Sequence, residues 1–134
     1  MACTALVTQS TGIPTIEEWA KLDLDAPNSR VLRLTRVRYD DNNHPVAAEE
    51  VVLALERFDG LAVDAGDVPD IVELAQRHGL SLGHASERLV IVHASRDVAS
   101  HLGIAPGTDV LKLNRIVETA DGDPVEWRVT FRKM

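Results

Sequence analysis

The chain has 134 residues, 45% of them hydrophobic and 26% charged, which suits one domain with its own core. Its net charge of −7 and sequence pI near 5.1 disfavour direct nucleic-acid binding, since such affinity rests on basic surfaces that face phosphates. A single cysteine, Cys3, excludes an intramolecular disulfide and fits a reducing cytoplasm, while no signal-peptide pattern and no run of roughly 20 apolar residues points to secretion or a membrane.

Residues 1–14 carry little pattern and are read as an N-terminal arm ahead of a domain over 15–134. Thr15-Ile16-Glu17-Glu18 is a capping-box sequence, so a short helix should run through Trp19 to about Leu22. In residues 31–39, Val31, Arg33, Thr35, Val37 and Tyr39 share one strand face. Leu32, Leu34, Arg36 and Arg38 share the other, which turns from apolar to basic. A polar loop over 40–44 and a return strand over 45–54 make a hairpin; a turn centred near Asn42 sets Arg36 opposite Glu49. Residues 58–66 read as a loop. Asp67 should cap a helix over 68–78, with Pro69 in its first turn and Gly79 as its stop. The nearly all-apolar run RLVIVHA over 88–94 is expected as a central strand covered on both faces. Ser95 should cap a helix over 96–102 that Gly103 ends. A strand over 109–118, a tight turn over 120–123 and a last strand over 124–132 complete the chain.

Part of this pattern occurs twice. A shift of 79 positions lays residues 26–36 over 105–115, with Ala, Pro, Val, Leu, Leu and Arg coinciding, and carries Pro45-Val46 onto Pro124-Val125. One supersecondary unit used twice implies two related halves of a single domain. The expected fold class is α+β: a mainly antiparallel sheet of about five or six strands, with two or three helices packed on it and the first hairpin paired to the later strands.

Arg36 and Arg38 lie on one strand face and can present a guanidinium fork to carboxylate or phosphate oxygens. Their plainer reading is a solvated strand end paired with Glu49 or Glu50, where an exposed ion pair contributes only about 0–1 kcal/mol. Glu49 and Glu126 can accept ligand hydroxyls or orient an arginine; cross-strand charge pairing is the alternative. Arg115, the repeat mate of Arg36, reads first as structural symmetry. Trp19 and Trp127 read as core or interface residues. No metal-ligand spacing joins the histidines, and the sequence has no G-x-G-x-x-G, P-loop or nucleophile elbow. Neither a metal nor a nucleotide cofactor is therefore expected.

The ordered motifs carry a resemblance. AP-x-x-x-VL-x-L-x-R-x-R (26–38) is followed by a turn ending in Pro45 and an A-x-E strand. Next come His78-Gly79-Leu80, then A-x-x-LG-x-x-PG-x-x-VL-x-L-x-R (99–115) and DG-x-PVE (121–126). This series resembles the UTRA domain, the effector-binding domain of HutC-type, GntR-like bacterial transcription regulators, which has a chorismate lyase-like fold. The resemblance implies a small anionic effector, a sugar phosphate or a carboxylate, held by Arg36, Arg38, Glu49 and Glu126. It also implies a homodimer in the cytoplasm whose conformation the effector biases. The thirty residues before Val31 leave no room for the family's winged helix, so DNA binding would come from a partner protein. Two other readings stay open. One is a chorismate lyase-like enzyme using Arg36 or Arg38 with Glu126. The other is a dimerisation module without ligand, since Pro69, Asp70 and Ile71 stand where the family often has Ser-Leu-Tyr.

Overall fold

In the computed structural model, residues 3–58 and 69–134 are described. Thr15 caps α1 (Ile16–Lys21): its hydroxyl accepts from the Glu18 N–H at 3.1 Å, and Glu18 Oε1 accepts from the Thr15 N–H at 2.9 Å. Two amides that a helix start leaves open are thereby satisfied. The same Glu18 holds Arg33 through both carboxylate oxygens, at 2.7 and 2.6 Å, and so ties α1 to β2 (Val31–Tyr39). β2 and β3 (Pro45–Ala54) form the expected hairpin, with Arg36 opposite Glu49. The Asp40 carboxylate closes its turn by accepting from the Asn42 and His44 amides. A single 3-10 turn, Leu55–Arg57, follows. After α2 (Ile71–Arg77) come β4 (Leu82–His93), α3 (Arg96–Leu102), β5 (Asp109–Thr119) and β6 (Pro124–Lys133). Ser95 caps α3 by accepting from the Val98 N–H, and Gly103 ends it at φ +65°, a left-handed geometry that side chains disfavour.

With β1 (Cys3–Gly12) these strands make one antiparallel sheet in the order β1-β2-β3-β6-β5-β4. The repeat reaches further than the sequence identities show. The 79-residue shift carries β3 end to end onto β6, and carries β1, α1 and β2 onto β4, α3 and β5. Each half is a β-α-β-β unit, and β3 pairs with β6 at the centre. Glu50 lies directly opposite its own repeat mate, Val129, so the pseudo-two-fold axis passes there.

The sheet has two occupied faces. On one, Leu22 and Leu24 beyond α1 pack with Val31, Val52 and Trp127, while Val98, Ala99 and Leu102 of α3 pack with Ala48 and Val110. On the other, Phe58 with Ile71 and Leu74 of α2 covers Leu32, Leu34, Val51 and Leu53. That second face carries Arg36, Glu49 and Glu126 beyond the apolar cluster.

Three expectations change. The segment read as an N-terminal arm contributes β1, which runs along β2 from Cys3↔Tyr39 to Gly12↔Val31. The helix expected from 68 begins at Ile71, with Asp70 extended (φ −59°, ψ 157°) and Pro69 ahead of the first turn. The Asp70 side chain makes no capping hydrogen bond and lies instead 3.8 Å from Arg36 and 3.6 Å from Arg38. The proposed cap Asp67 and the loop over 58–66, Phe58 excepted, fall outside the described residues. The third change is larger. The apolar run over 88–94 belongs to β4, an edge strand exposed along nearly its whole length, not a covered central one. Its sequence leads straight into α3, which folds back over β3 and β5 and touches β4 only near its end, at Val92.

Candidate functional site: an arginine–glutamate cluster on the central strands

Period-two alternation brings the four candidate residues to one sheet face. Arg36 and Arg38 come from β2, Glu49 from β3 and Glu126 from β6. Arg36, Glu49 and Glu126 are 7%, 2% and 1% exposed, so the solvated-strand-end reading fails for Arg36. Arg38 stands at the rim and donates from Nε to Glu49 Oε1 at 2.8 Å.

Sequence reasoning missed three members. Arg128 lies 3.6 Å from Glu49 Oε2 and 3.8 Å from Glu126 Oε1, and Thr130 Oγ1 donates to Glu49 Oε2 at 3.3 Å. Both sit at even spacing from Glu126 on β6, so the period-two rule that grouped Arg36 with Arg38 could have found them. Asp70 completes the rim, and only the α2 boundary reveals it. Arg115 of β5, read first as structural symmetry, lies directly opposite Arg128 of β6.

Burial sets the electrostatics. Glu126 has a pKa raised above the ordinary carboxylate value of 4.5, because desolvation outweighs the attraction of Arg128, Arg115 and Arg36; Glu49 adds repulsion. Its Oε1 is buried with no hydrogen-bond partner among the described residues. A carboxyl whose folded pKa lies above its unfolded one takes up a proton more readily when folded. Its contribution to stability therefore grows as pH falls through the folded pKa, and is complete below about 4.5. Glu126→Gln should accordingly stabilise the protein at pH 8, by an increment that shrinks towards pH 5. Denaturant unfolding of both proteins across that range checks this. A pH-independent loss in Glu126→Gln would show instead that the arginines hold the carboxylate charged.

Chemically, the cluster joins charge-assisted donors to two buried acceptors. Guanidiniums suit carboxylate or phosphate oxygens, and the carboxyl groups suit hydroxyl or amide donors.

Comparison with known proteins places the fold in a family. The family model for the UTRA domain matches residues 3–132, and the chain belongs to that family, the effector-binding domains of GntR-family transcription regulators. A ligand-binding domain assigned to a GntR-family regulator of Bordetella bronchiseptica is 26% identical, with a TM-score of 0.87 over 100% of this chain and 85% of that one. The effector domain of PhnF from Mycobacterium smegmatis shares the fold at 22% identity and a TM-score of 0.88, over 99% of this chain and 81% of that one. YydK from Bacillus subtilis, described as a possible transcriptional regulator, does so at 17% identity and 0.87; 98% of this chain is covered, and it spans 58% of that chain. The first and third of these are described as a regulator or the domain of one, and the second as an effector domain. Among the described residues no helix is long and apolar enough to cross a membrane.

Proposed function

We propose that this domain senses a small anionic metabolite, a sugar phosphate or carboxylate, in the cytoplasm. Arg36 and Arg38 hold its anionic group, while Glu49 and Glu126 take its hydroxyl or amide donors. Binding biases the conformation of a homodimer and, through it, a DNA-binding partner. The observation that carries this reading is the burial of Glu49 and Glu126 beside Arg36 and Arg128 on one sheet face. A cluster this dry is costly to assemble, and a packed apolar centre would serve stability as well or better.

The second copy is proposed to pair along β4. This edge exposes Leu89 (59%), Val90 (37%) and Ile91 (59%), and its pairing with β5 is regular from His84 to His93. The opposite edge, β1, carries three Thr, one Ser and one Gln among its ten residues and is bulged between Leu6 and Thr8, a feature that discourages pairing. In antiparallel self-pairing centred on Val90, Leu89 would meet Ile91 of the partner subunit and Glu87 would meet His93 of the partner subunit, so apolar and charged positions match. Glu87 also lies 3.7 Å from Arg115, which links this edge to the cluster.

A thermal-shift screen of the purified chain tests the sensing. Sugar phosphates, aromatic carboxylates including chorismate, and short dicarboxylates would be run against wild type and Arg38→Ala. A ligand at about 100 times its Kd should add roughly 2.7 kcal/mol to the stability of the wild type. That increment should fall sharply in Arg38→Ala, whose removed side chain is 37% exposed and which leaves Glu49 its contacts with Thr130 and Arg128. A flat screen on a folded protein would sink the proposal.

A further inference from the structure

We propose that Arg115 and Arg128 form a second anion-binding arm facing Arg36 and Arg38, and that the ligand is a small dianion with two separated acidic groups, such as a short dicarboxylate or a phosphorylated acid. This rests on the reading that the cluster binds an anion, and adds to it which anion fits.

The pseudo-symmetry shows how the second arm arises. In the first half, Arg36 stands opposite Glu49, a cation across from a carboxylate. Their repeat mates are Arg115 and Arg128, which stand opposite each other in the second half. Where the first unit places a carboxylate, the second places another guanidinium. Like charges directly opposed across a ladder are unfavourable unless something neutralises them. The described residues do this incompletely. Arg128 reaches Glu49 at 3.6 Å and Glu126 at 3.8 Å, both beyond hydrogen-bond length. The Arg115 Nε is buried without a hydrogen bond, 3.7 Å from a half-exposed Glu87.

Charge and spacing then define the ligand. Arg36, Arg38, Arg115 and Arg128 are met by two buried carboxyl groups, Glu49 and Glu126. Each arm also has a rim carboxylate more than half exposed, Asp70 (60%) beside Arg36 and Arg38 and Glu87 (51%) beside Arg115, whose places two acidic groups of a ligand would take. Burial disfavours the charge on Glu126, so the guanidiniums around it are the less fully countered. β2 and β5 are separated by β3 and β6, so their backbones lie three strand spacings, about 14 Å, apart. Long arginine side chains leaning in from both strands would leave room between them for a short chain carrying an acid at each end. A single compact anion would engage one arm and leave the other unanswered.

Isothermal titration of wild type, Arg36→Gln, Arg115→Gln and Arg115→Lys tests this. The probes are inorganic phosphate, butyrate and the dicarboxylates succinate, glutarate and adipate. The expected result is at least one dicarboxylate bound about tenfold or more tighter than butyrate, the scale of one charge-assisted hydrogen bond. Arg115→Gln should erase that preference and leave phosphate and butyrate within about twofold of wild type. Arg115→Lys should restore part of it, which a purely structural role for the arginine would not predict. Equal binding of mono- and dicarboxylates, or a preference that survives Arg115→Gln, overturns the second arm. If phosphate or butyrate then still binds and needs Arg36, the sensing proposal stands without the arm. If no probe binds a folded protein, both fall.

Discussion

Replacing Glu49 with alanine should lower the unfolding free energy by about 3–5 kcal/mol, because it strips a buried partner from arginines that cannot shed their charge. Glu49 is 2% exposed, takes a 2.8 Å hydrogen bond from Arg38 and a 3.3 Å one from Thr130, and lies 3.6 Å from Arg128, itself only 11% exposed. Of the four guanidiniums in the cluster, Arg128 loses most, since it cannot turn to water as Arg38 can. For a domain of this size the loss corresponds to roughly 10–20 °C in Tm. Glu49→Gln keeps an acceptor for Arg38 and Thr130 and should cost less. Thermal and urea unfolding of the two variants separate charge from hydrogen bonding. A loss below about 1 kcal/mol in Glu49→Ala would mean that the carboxylate is not what holds the arginines in place.

Changing Ile91 to lysine should weaken self-association about tenfold while leaving the monomer folded. The side chain is 59% exposed on β4, so the isolated domain loses almost no packing. In the proposed β4–β4 pairing the same position packs across the seam against Leu89 of the partner subunit, twice per dimer by symmetry. Each apolar cross-strand pair lost costs about 0.2–1 kcal/mol. Sedimentation velocity over a concentration series reads the effect. An unchanged dimer would move the interface elsewhere, and circular dichroism of the variant guards against misreading an unfolded chain. A lysine at Ile16, which is 92% exposed on α1, serves as the control at a site away from β4.

Much of the fold was legible because local chemistry and tertiary structure agree. The α1 capping box, the β2–β3 hairpin with its Arg36–Glu49 register, and the Ser95 cap with its Gly103 stop all follow from nearest-neighbour rules. β4 misled for a physical reason. Composition reports that a strand is apolar, but not what covers it; Leu89, Val90 and Ile91 look alike whether a helix or a second chain lies over them. Asp70 was missed for a related reason. Its carboxylate turns to Arg36 and Arg38 rather than to the helix it precedes, a choice made by residues more than thirty positions away.

The site was half visible. Arg36, Arg38, Glu49 and Glu126 were found through strand alternation and the family resemblance, and they lie on one face. Arg128 and Thr130 obey the same alternation and needed only its extension along β6. Arg115 required the β5–β6 register, which sets it opposite Arg128 rather than opposite a carboxylate. The repeat predicted where Arg115 would stand; it did not predict that the mate of Glu49 would be an arginine.

The most direct measurement is an NMR titration that follows the arginine Nε–H signals of the chain with glutarate and, separately, with inorganic phosphate. The central claim is that a small anion is held by guanidiniums on the α2-covered face of the central strands. It predicts saturable shifts at Arg36 and Arg38 with phosphate, extending to Arg115 and Arg128 with glutarate. Arg77, at the exposed end of α2 and paired with Glu73, and Arg96, on α3 at the opposite face, should stay still. Weak, non-saturating shifts spread evenly over all the arginines would contradict it.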